Sequence, residues 1–181
     1  MKVHLKNVRL SFPDLFKAVE FKPGDGKPRY NATFLIVPDS DNDKAIRAAI
    51  VAAAEESWGD KAKKIVESIK GQSNKFCYLD GDLKDYEGYA DHLYLACHSK
   101  TRPTVVDGAR QPLTQDDGKP YAGCYVNAIV DIWAQKGENQ GMRASFSGVQ
   151  FASDGEAFSA SAPASADEFE ELAGATADDF A

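Results

Sequence analysis

Apolar and polar residues alternate over the first twelve positions, a pattern typical of a β-strand with one face in a core. The alternation changes phase at Asn7, and a one-residue β-bulge produces such a slip. Phe12 is followed by Pro13, so we predict that the strand ends there. The apolar positions are Val3, Leu5, Val8, Leu10 and Phe12.

The next part of the chain predicts a helical insertion between strands. A turn-rich basic loop, Lys22 to Arg29, leads into strand-forming residues from Tyr30 to Val37. The segment Asp39 to Asp43 offers helix N-cap residues, and apolar residues then recur at helical spacing up to Trp58. A second short helix is predicted to end at Gly71. Further strands are predicted at 76–79, 92–102, 123–135 and 143–151.

About five strands around a helical insertion predict a mainly β fold, and a five-stranded Greek-key barrel of the OB type is the commonest such plan. An α+β sandwich fits the pattern almost as well. We assign residues 1–158 to the OB-fold domain. Residues 159–181 are predicted to be a disordered acidic tail, because eight of these 23 residues are Ala, three are Ser and six are acidic.

The net charge of −7 is concentrated in that tail, which has six acidic residues and no basic one. The rest of the chain has 22 acidic and 21 basic residues, and its first 37 residues carry seven basic and three acidic ones. A nearly neutral body with a basic first fifth leaves nucleic acid open as a ligand, although the whole chain is acidic.

The sequence lacks the residue patterns that would bind a nucleotide cofactor or a metal ion. Pro28 follows Lys27 where a phosphate-binding loop needs Ser or Thr. His92, Cys97 and His98 lie on one predicted strand, where Cys97 points away from both histidines and the three cannot meet at a metal. We therefore expect no cofactor, no metal and no enzymatic activity.

Composition predicts a soluble cytoplasmic protein. The longest apolar run has seven residues, far below the roughly 20 of a membrane span, and the N-terminus shows no apolar signal core. Three cysteines are an odd number without close pairing, which favours reduced thiols.

The predicted strand from His92 to Arg102 is the strongest candidate for a binding surface. Its odd positions are mainly apolar and face the core, whereas its even positions carry rings and cations. Rings stack on unpaired bases and cations pair with phosphates. The solvated face of any antiparallel sheet would give the same pattern, so that alternative stays open. The even-numbered residues are His92, Tyr94, Ala96, His98, Lys100 and Arg102.

The strand 123–135, taken as the facing strand, and the basic loop add further rings and cations. For Phe12, Phe34 and Phe146 we expect core packing. The predicted DNA-binding residues are Lys100, Arg102, Arg29, Tyr30, Lys27, Lys22, Tyr94, His98, Tyr125 and Trp133.

Six short blocks give the body, about residues 1 to 155, a resemblance to a known family. The blocks are 12–16 (FPDLF), 30–36 (YNATFLI), 80–82 (DGD), 100–103 (KTRP), 121–127 (YAGCYVN) and 148–151 (GVQF). In this order and spacing they resemble phage proteins once filed as a domain of unknown function and since described as single-stranded DNA-binding proteins with an OB fold. The resemblance implies binding of single-stranded DNA (ssDNA) without marked sequence preference, in phage replication or recombination, in the cytoplasm of an infected bacterium.

The tail resembles those of bacterial and T7-like replication proteins that bind ssDNA. Those tails end in an acidic stretch with a terminal Phe that docks onto replication partners. Asp178, Asp179 and Phe180 match, but Ala181 follows here. The resemblance implies a partner-binding role for these three residues.

Two rival functions stay open from sequence. One is an RNA-binding or strand-annealing protein on the same fold, and the other is a metal-dependent nuclease. Homo-oligomerisation is also left open.

Overall fold

In the computed structural model, which describes residues 1–158, the N-terminal alternation forms one long strand, β1 (Lys2–Val19). Its register with a neighbouring strand shifts between Leu5 and Val8, and Asn7 has a φ of 51°. The bulge predicted at Asn7 is therefore confirmed.

The strand does not end at Pro13, so that prediction is wrong. A second register shift lies between Ser11 and Asp14, and Phe12 has a φ of 47°. A bulge at this point keeps Pro13, which has no N–H to donate, out of the hydrogen-bond ladder. The strand bends there and continues.

The remaining elements follow the predicted order, with one short strand, at 104–106, added. Helical turns of three residues lie at 59–61, 81–83 and 115–117. The elements are β2 (Arg29–Ile36), α1 (Asp41–Trp58), α2 (Ala62–Ile69), β3 (Tyr78–Asp80), β4 (Leu93–Ser99), β5 (Thr104–Val106), β6 (Tyr125–Gln135) and β7 (Gly141–Ser153).

The sheet closes into a barrel at the start of β7. Its strand order is β3-β4-β2-β1-β6-β7-β5. The Met142 amide donates to the Lys75 carbonyl at 2.8 Å, and the Cys77 amide donates to the Met142 carbonyl at 3.1 Å. The segment that leads into β3 thus joins β7 to β4. The five long strands β1, β2, β4, β7 and β6 form the barrel, as the OB-fold prediction required.

The barrel interior holds the alternating apolar positions of all five long strands. Phe34 and Phe146 are buried and meet edge to face, with their ring centroids 6.4 Å apart, so their predicted core role is confirmed. All three cysteines are buried and free. Burial raises the pKa of the Cys97 thiol well above its usual value, which keeps it protonated and unreactive.

The helical insertion packs α1 against β1 and β6. Ser40 caps α1, since its hydroxyl accepts from the Asp43 amide at 3.2 Å. Asp43 is 2% exposed, and its carboxylate accepts hydrogen bonds from Tyr78 and Arg47, both at 2.7 Å. A residue of the capping segment is therefore also the polar link between the helix and β3.

The structure corrects one further prediction, and another falls on residues that it does not describe. The strand predicted at 92–102 ends at Ser99, so Lys100 and Arg102 lie in the connection to β5. The predicted tail, 159–181, lies outside the described residues. Within residues 1–158, α1 and α2 lack the length and apolar composition that crossing a membrane would require.

Candidate nucleic-acid interface

Strands β1, β2 and β4 lie side by side, and their outward-pointing residues form one surface. We name this surface the outer β1–β2–β4 face. OB folds bind oligonucleotides on the corresponding strands and the loops beside them. Strand register places its residues in three cross-strand rows: Arg9, Leu35 and Tyr94; Ser11, Thr33 and Ala96; Asp14, Asn31 and His98.

The loop 84–92 covers the middle of this face. Its Tyr89 is 2% exposed, donates a hydrogen bond from its hydroxyl to Ser11 Oγ at 3.1 Å, and packs 5.4 Å from the Tyr94 ring. Tyr94 points outward, as alternation predicted, but it is only 6% exposed, and burial raises its pKa. The prediction of Tyr94 as an exposed stacking ring is therefore wrong.

The other end of the face is open. A groove of about 180 Å³ lies there, and we name it the Phe21 groove. The Phe21 ring is 85% exposed, which is unusual for a large apolar side chain and leaves it free to stack on a ligand. The lining residues are Val19, Phe21, Arg29, Asn31 and His98.

A hydrogen-bonded chain forms the polar side of the Phe21 groove. Asn31 Nδ2 donates to Asp14 Oδ2 at 2.8 Å, and Asn31 Oδ1 lies 2.7 Å from His98 Nδ1. Loss of solvent around the ring, together with the positive charges of Arg29 and Arg143, lowers the pKa of His98 below 6.5. His98 is therefore a mainly neutral ring at pH 7, beside the permanent cation of Arg29.

In the structure β2 begins at Arg29, and the preceding loop, 20–28, folds around its own acidic residues. The Glu20 carboxylate accepts from the amides of Gly24 and Gly26, at 2.8 and 3.0 Å, and Asp25 accepts from the Lys27 amide at 2.8 Å. The loop carboxylates are occupied by backbone amides, while the side chains of Lys22 and Lys27 stay exposed. The loop thus presents two cations beside Arg29.

Lys100 and Arg102 follow the end of β4 and are exposed. Because Ser99 pairs with Tyr30, Lys100 emerges at the same strand end as Arg29. Within residues 1–158, Lys100, Arg102 and Arg29 form no ion pair. Their charges are available to phosphate, although the two later residues do not lie on a strand.

Tyr30 belongs to the other side of β2. It is half-buried and packs against the core, in line with Ala32 and Phe34. Tyr30 therefore does not point to the outer β1–β2–β4 face, and its role as a stacking ring stays a prediction.

Strand β6 pairs with β1 and β7, so it does not face β4 as predicted. Tyr125 is half-buried next to Arg9, whose guanidinium carbon lies 5.8 Å from the centre of the ring. Trp133 is 40% exposed and lies opposite Arg143 on β7. Neither ring lines the Phe21 groove.

Three exposed rings were missed from sequence. Phe12 is 55% exposed and packs edge to face against Tyr86, itself 48% exposed, at 5.1 Å. The expected core role of Phe12 is wrong, because the second bulge turns its side chain outward. For Phe21, its place directly before the basic loop was the signal that could have identified it.

A larger cavity, with a volume of about 670 Å³, lies across β6 and β7 on another side of the barrel. His4, Lys6 and Arg110 line it with Ile129, but no Phe, Tyr or Trp does. Its cations suit an anion, but it offers no large ring for an unpaired base. The outer β1–β2–β4 face combines rings with cations and is the better candidate.

Comparison with solved structures supports the barrel assignment. The single-stranded DNA-binding protein from bacteriophage Enc34 in complex with ssDNA aligns with a TM-score of 0.73 and 23% identity, over 87% of this chain and 89% of that one. Gp2.5, a single-stranded DNA-binding protein encoded by bacteriophage T7, aligns with a TM-score of 0.53 and 12% identity, over 94% and 98%. At these identities the likeness shows the fold.

Sequence comparison shows the family. Protein p50 of Acyrthosiphon pisum secondary endosymbiont phage 1 is 46% identical over 175 residues, which cover 95% of this chain and 94% of that protein. The family model described as "Enterobacter phage Enc34, ssDNA-binding protein" matches residues 1–181. The chain therefore belongs to the Enc34 family of ssDNA-binding proteins.

Proposed function

We propose that this protein binds ssDNA without marked sequence preference along the outer β1–β2–β4 face, with the Phe21 groove as its open end. One observation carries the proposal: an exposed Phe21 ring, the Arg29 cation and the His98 ring line one groove on the face that OB folds use for oligonucleotides. Family membership and the ssDNA in the related Enc34 structure support it.

In this proposal, the chemistry of each side chain decides whether it binds a base or a phosphate. Phe21 stacks on a base, and stacking tolerates any sequence because every base has a flat face. Arg29 pairs with phosphate, and the neighbouring cations extend this contact along the strand. Trp133 stays in the proposal as a peripheral ring. The supporting cations are Lys22, Lys27, Lys100 and Arg102.

The wider role follows from the family. We propose a non-enzymatic protein of phage replication or recombination, acting in the cytoplasm of an infected bacterium. Residues 1–158 form the binding domain, and residues 159–181 form an acidic tail that contacts phage or host replication proteins through Asp178, Asp179 and Phe180.

A titration tests the proposal. Fluorescent oligo-dT, its duplex and the matched RNA are each titrated with protein at several salt concentrations. We expect oligo-dT to bind more tightly than the duplex, and we expect Phe21→Ala with Arg29→Ala to weaken oligo-dT binding at least tenfold. Lys63→Ala with Lys64→Ala, which removes two exposed cations from α2, is the matched control.

Three outcomes would count against the proposal. Equal affinity for duplex and oligo-dT would contradict preference for unpaired strands. Tighter binding of the matched RNA would favour the RNA-binding rival. Full affinity in the Phe21→Ala, Arg29→Ala variant, with the control also unaffected, would place the DNA on another surface.

A further inference from the structure

The segment after β7 turns back and is held against the barrel. We name residues 154–158 the strap. The Tyr121 hydroxyl donates to Asp154 Oδ1 at 2.8 Å, and the Phe158 amide donates to the Ala122 carbonyl at 2.9 Å. Gly155 approaches so closely that a Cβ atom there would overlap the Gly123 carbonyl oxygen. The glycine permits backbone-to-backbone contact, so this position of the strap is encoded in the sequence.

At the end of the strap, Phe158 lies over Arg9. The guanidinium carbon is 4.3 Å from the centre of the Phe158 ring. Arg9 also donates to two carbonyl oxygens, from Nη2 to Glu156 at 2.7 Å and from Nε to Gly123 at 3.0 Å. Both acceptors are neutral, and Arg9 has no ion pair within residues 1–158. Its positive charge is therefore covered by a ring but not neutralised.

The Phe158 ring fills a slot on the outer β1–β2–β4 face. Arg9 and Leu35 are register partners and form one side. Gly88 forms the other, where a Cβ atom would overlap the Phe158 ring. Asn31, on the same side of β2 as Leu35, belongs to the Phe21 groove. The loop 84–92 covers the middle of the face between the groove and this slot, so a strand of DNA that occupies both would pass over that loop.

We propose that this slot is a subsite for an unpaired nucleobase, and that Phe158 occupies it until ssDNA displaces the ring. A base offers Arg9 the same flat π-face for stacking as Phe158 does. DNA also brings a phosphate that neutralises the Arg9 charge, which Phe158 cannot do. The side chains of Glu156 and Ala157 are exposed, so backbone hydrogen bonds, the Tyr121–Asp154 contact and the Phe158 ring hold the strap in place, and DNA must compete with these contacts. This inference rests on the proposed function.

Removing the competing ring is the first test. Oligo-dT is titrated against the full-length protein and its Phe158→Ala variant, and we expect the variant to bind about three- to tenfold more tightly. That factor applies if about a third to a tenth of the wild-type molecules have an open slot. Gly155→Ala, which pushes the strap off Gly123, should act in the same direction. Both variants keep all six tail carboxylates, so loss of tail charge cannot explain the gain.

The gain in affinity of the Phe158→Ala variant should require Arg9, and the loss of an unrelated exposed apolar side chain should not reproduce it. Adding Arg9→Leu to Phe158→Ala should cancel the increase, because the base then loses its platform. Val51→Ala removes an exposed apolar side chain from α1 and should leave the affinity unchanged. Melting temperatures of all variants establish that each is folded.

A fluorescent ring tests displacement directly. In Phe158→Trp the new indole should be shielded in the free protein, and saturating oligo-dT should shift its emission to the red as it enters water. Ala157→Trp places the indole at an exposed neighbouring position and should show no such shift.

The outcomes separate this inference from the proposed function. If the wild type does not bind oligo-dT, the proposed function fails and the subsite fails with it. If the wild type binds, two results would each show that Phe158 does not compete with DNA: equal or weaker binding by Phe158→Ala, or an unshifted indole emission in Phe158→Trp. The subsite is then wrong while the proposed function stands.

Discussion

His98 Nδ1 lies 2.7 Å from Asn31 Oδ1, and this contact fixes the tautomer of the imidazole. The Asp14 carboxylate can only accept, so Asn31 turns its amide nitrogen to Asp14 and its oxygen to His98. Nδ1 of His98 must therefore carry a proton. Nε2 of the neutral ring is left as an acceptor, without a partner within residues 1–158, and it can take up a proton without disturbing Asn31.

Affinity for ssDNA should rise as pH falls from about 7.5 to 5.5. Partial loss of solvent around the exposed ring and the charges of Arg29 and Arg143 lower the pKa of His98 in the free protein, whereas a bound phosphate favours the charged ring. Binding therefore takes up a proton. Oligo-dT titrations across this range should show the rise, and His98→Gln should flatten it.

The folding stability should change in the opposite direction. The folded-state pKa of His98 lies below the unfolded value near 6.5, so the contribution of His98 to folding stability is complete above that pH and declines as pH falls through the folded pKa.

For the binding prediction, His4→Gln, at the cavity over β6 and β7, is the control and should retain the pH dependence of ssDNA affinity. If the affinity of the wild type for oligo-dT does not change with pH, no phosphate lies near His98 in the complex.

Lys100→Ala with Arg102→Ala should weaken binding and reduce its salt dependence. Each lost phosphate contact should lower the slope of log K against log salt by about 0.7 for a single strand. Oligo-dT titrations at four salt concentrations measure the slope. An unchanged slope, matching the Lys63→Ala, Lys64→Ala control, would show that these two side chains never meet phosphate.

Phe21→Ala and Tyr94→Leu should separate binding from stability. Phe21 is exposed, so its loss should cost about 1–3 kcal/mol of binding energy and leave the melting temperature unchanged. Tyr94 is packed under Tyr89, so its replacement should lower the melting temperature and leave the affinity of the folded protein unchanged. Thermal denaturation and oligo-dT titration of both variants give the comparison, and the reverse result would exchange the two assignments.

Asp43→Ala should destabilise the fold without touching the proposed interface. Burial opposes ionisation of Asp43, but hydrogen bonds from Tyr78, the Asp39 amide and Arg47 outweigh it and lower the carboxyl pKa. The change leaves the buried Tyr78 hydroxyl without its acceptor, at about 1–3 kcal/mol. Urea denaturation measures the loss.

The same network sets a pH dependence for stability. The folded-state pKa of Asp43 lies below 3.8, so its contribution is present above that pH and is lost as pH falls through the folded pKa. Asp41→Ala, at an exposed position on the same helix, is the control. Equal stability of the two variants would mean that the network is not stabilising.

Truncation after Ala162 should tighten ssDNA binding, most clearly at low salt. It removes six carboxylates that are tethered to the domain and compete with DNA for its cations, and a tether of about twenty residues gives a millimolar effective concentration. Salt screens this competition as the Debye length falls to about 8 Å at physiological ionic strength. Affinities of both forms are compared at two salt concentrations. Identical low-salt affinities would remove the idea of self-competition.

Phe180→Ala should abolish recruitment of replication partners while leaving DNA affinity nearly unchanged. Phe180 would supply the apolar anchor, with Asp178 and Asp179 as its charged flank. Pull-down of phage and host replication proteins by the wild type and the variant measures this. Phe169→Ala, in the same tail, is the control, and equal recruitment by the Phe180→Ala variant would leave the tail without this role.

The sequence by itself determined the local features of this fold. The phase slip at Asn7, the capping segment before α1 and the apolar spacing of both helices depend on neighbours a few residues apart, and each was confirmed. The alternation in β4 correctly pointed Tyr94 and His98 away from the barrel interior. Strand number and helical insertion favoured the OB class, but they fitted an α+β sandwich almost as well, and the closure of the barrel decided between the two.

Only the tertiary structure decided which outward side chains are accessible and which ones meet. Tyr94 is covered by Tyr89 from a loop, Phe12 is turned outward at a bulge, and β6 lies beside β1 instead of β4. These facts depend on contacts between residues far apart in the chain. An alternation of period two tells which way a side chain points from its own strand, but not what the rest of the chain lays over it.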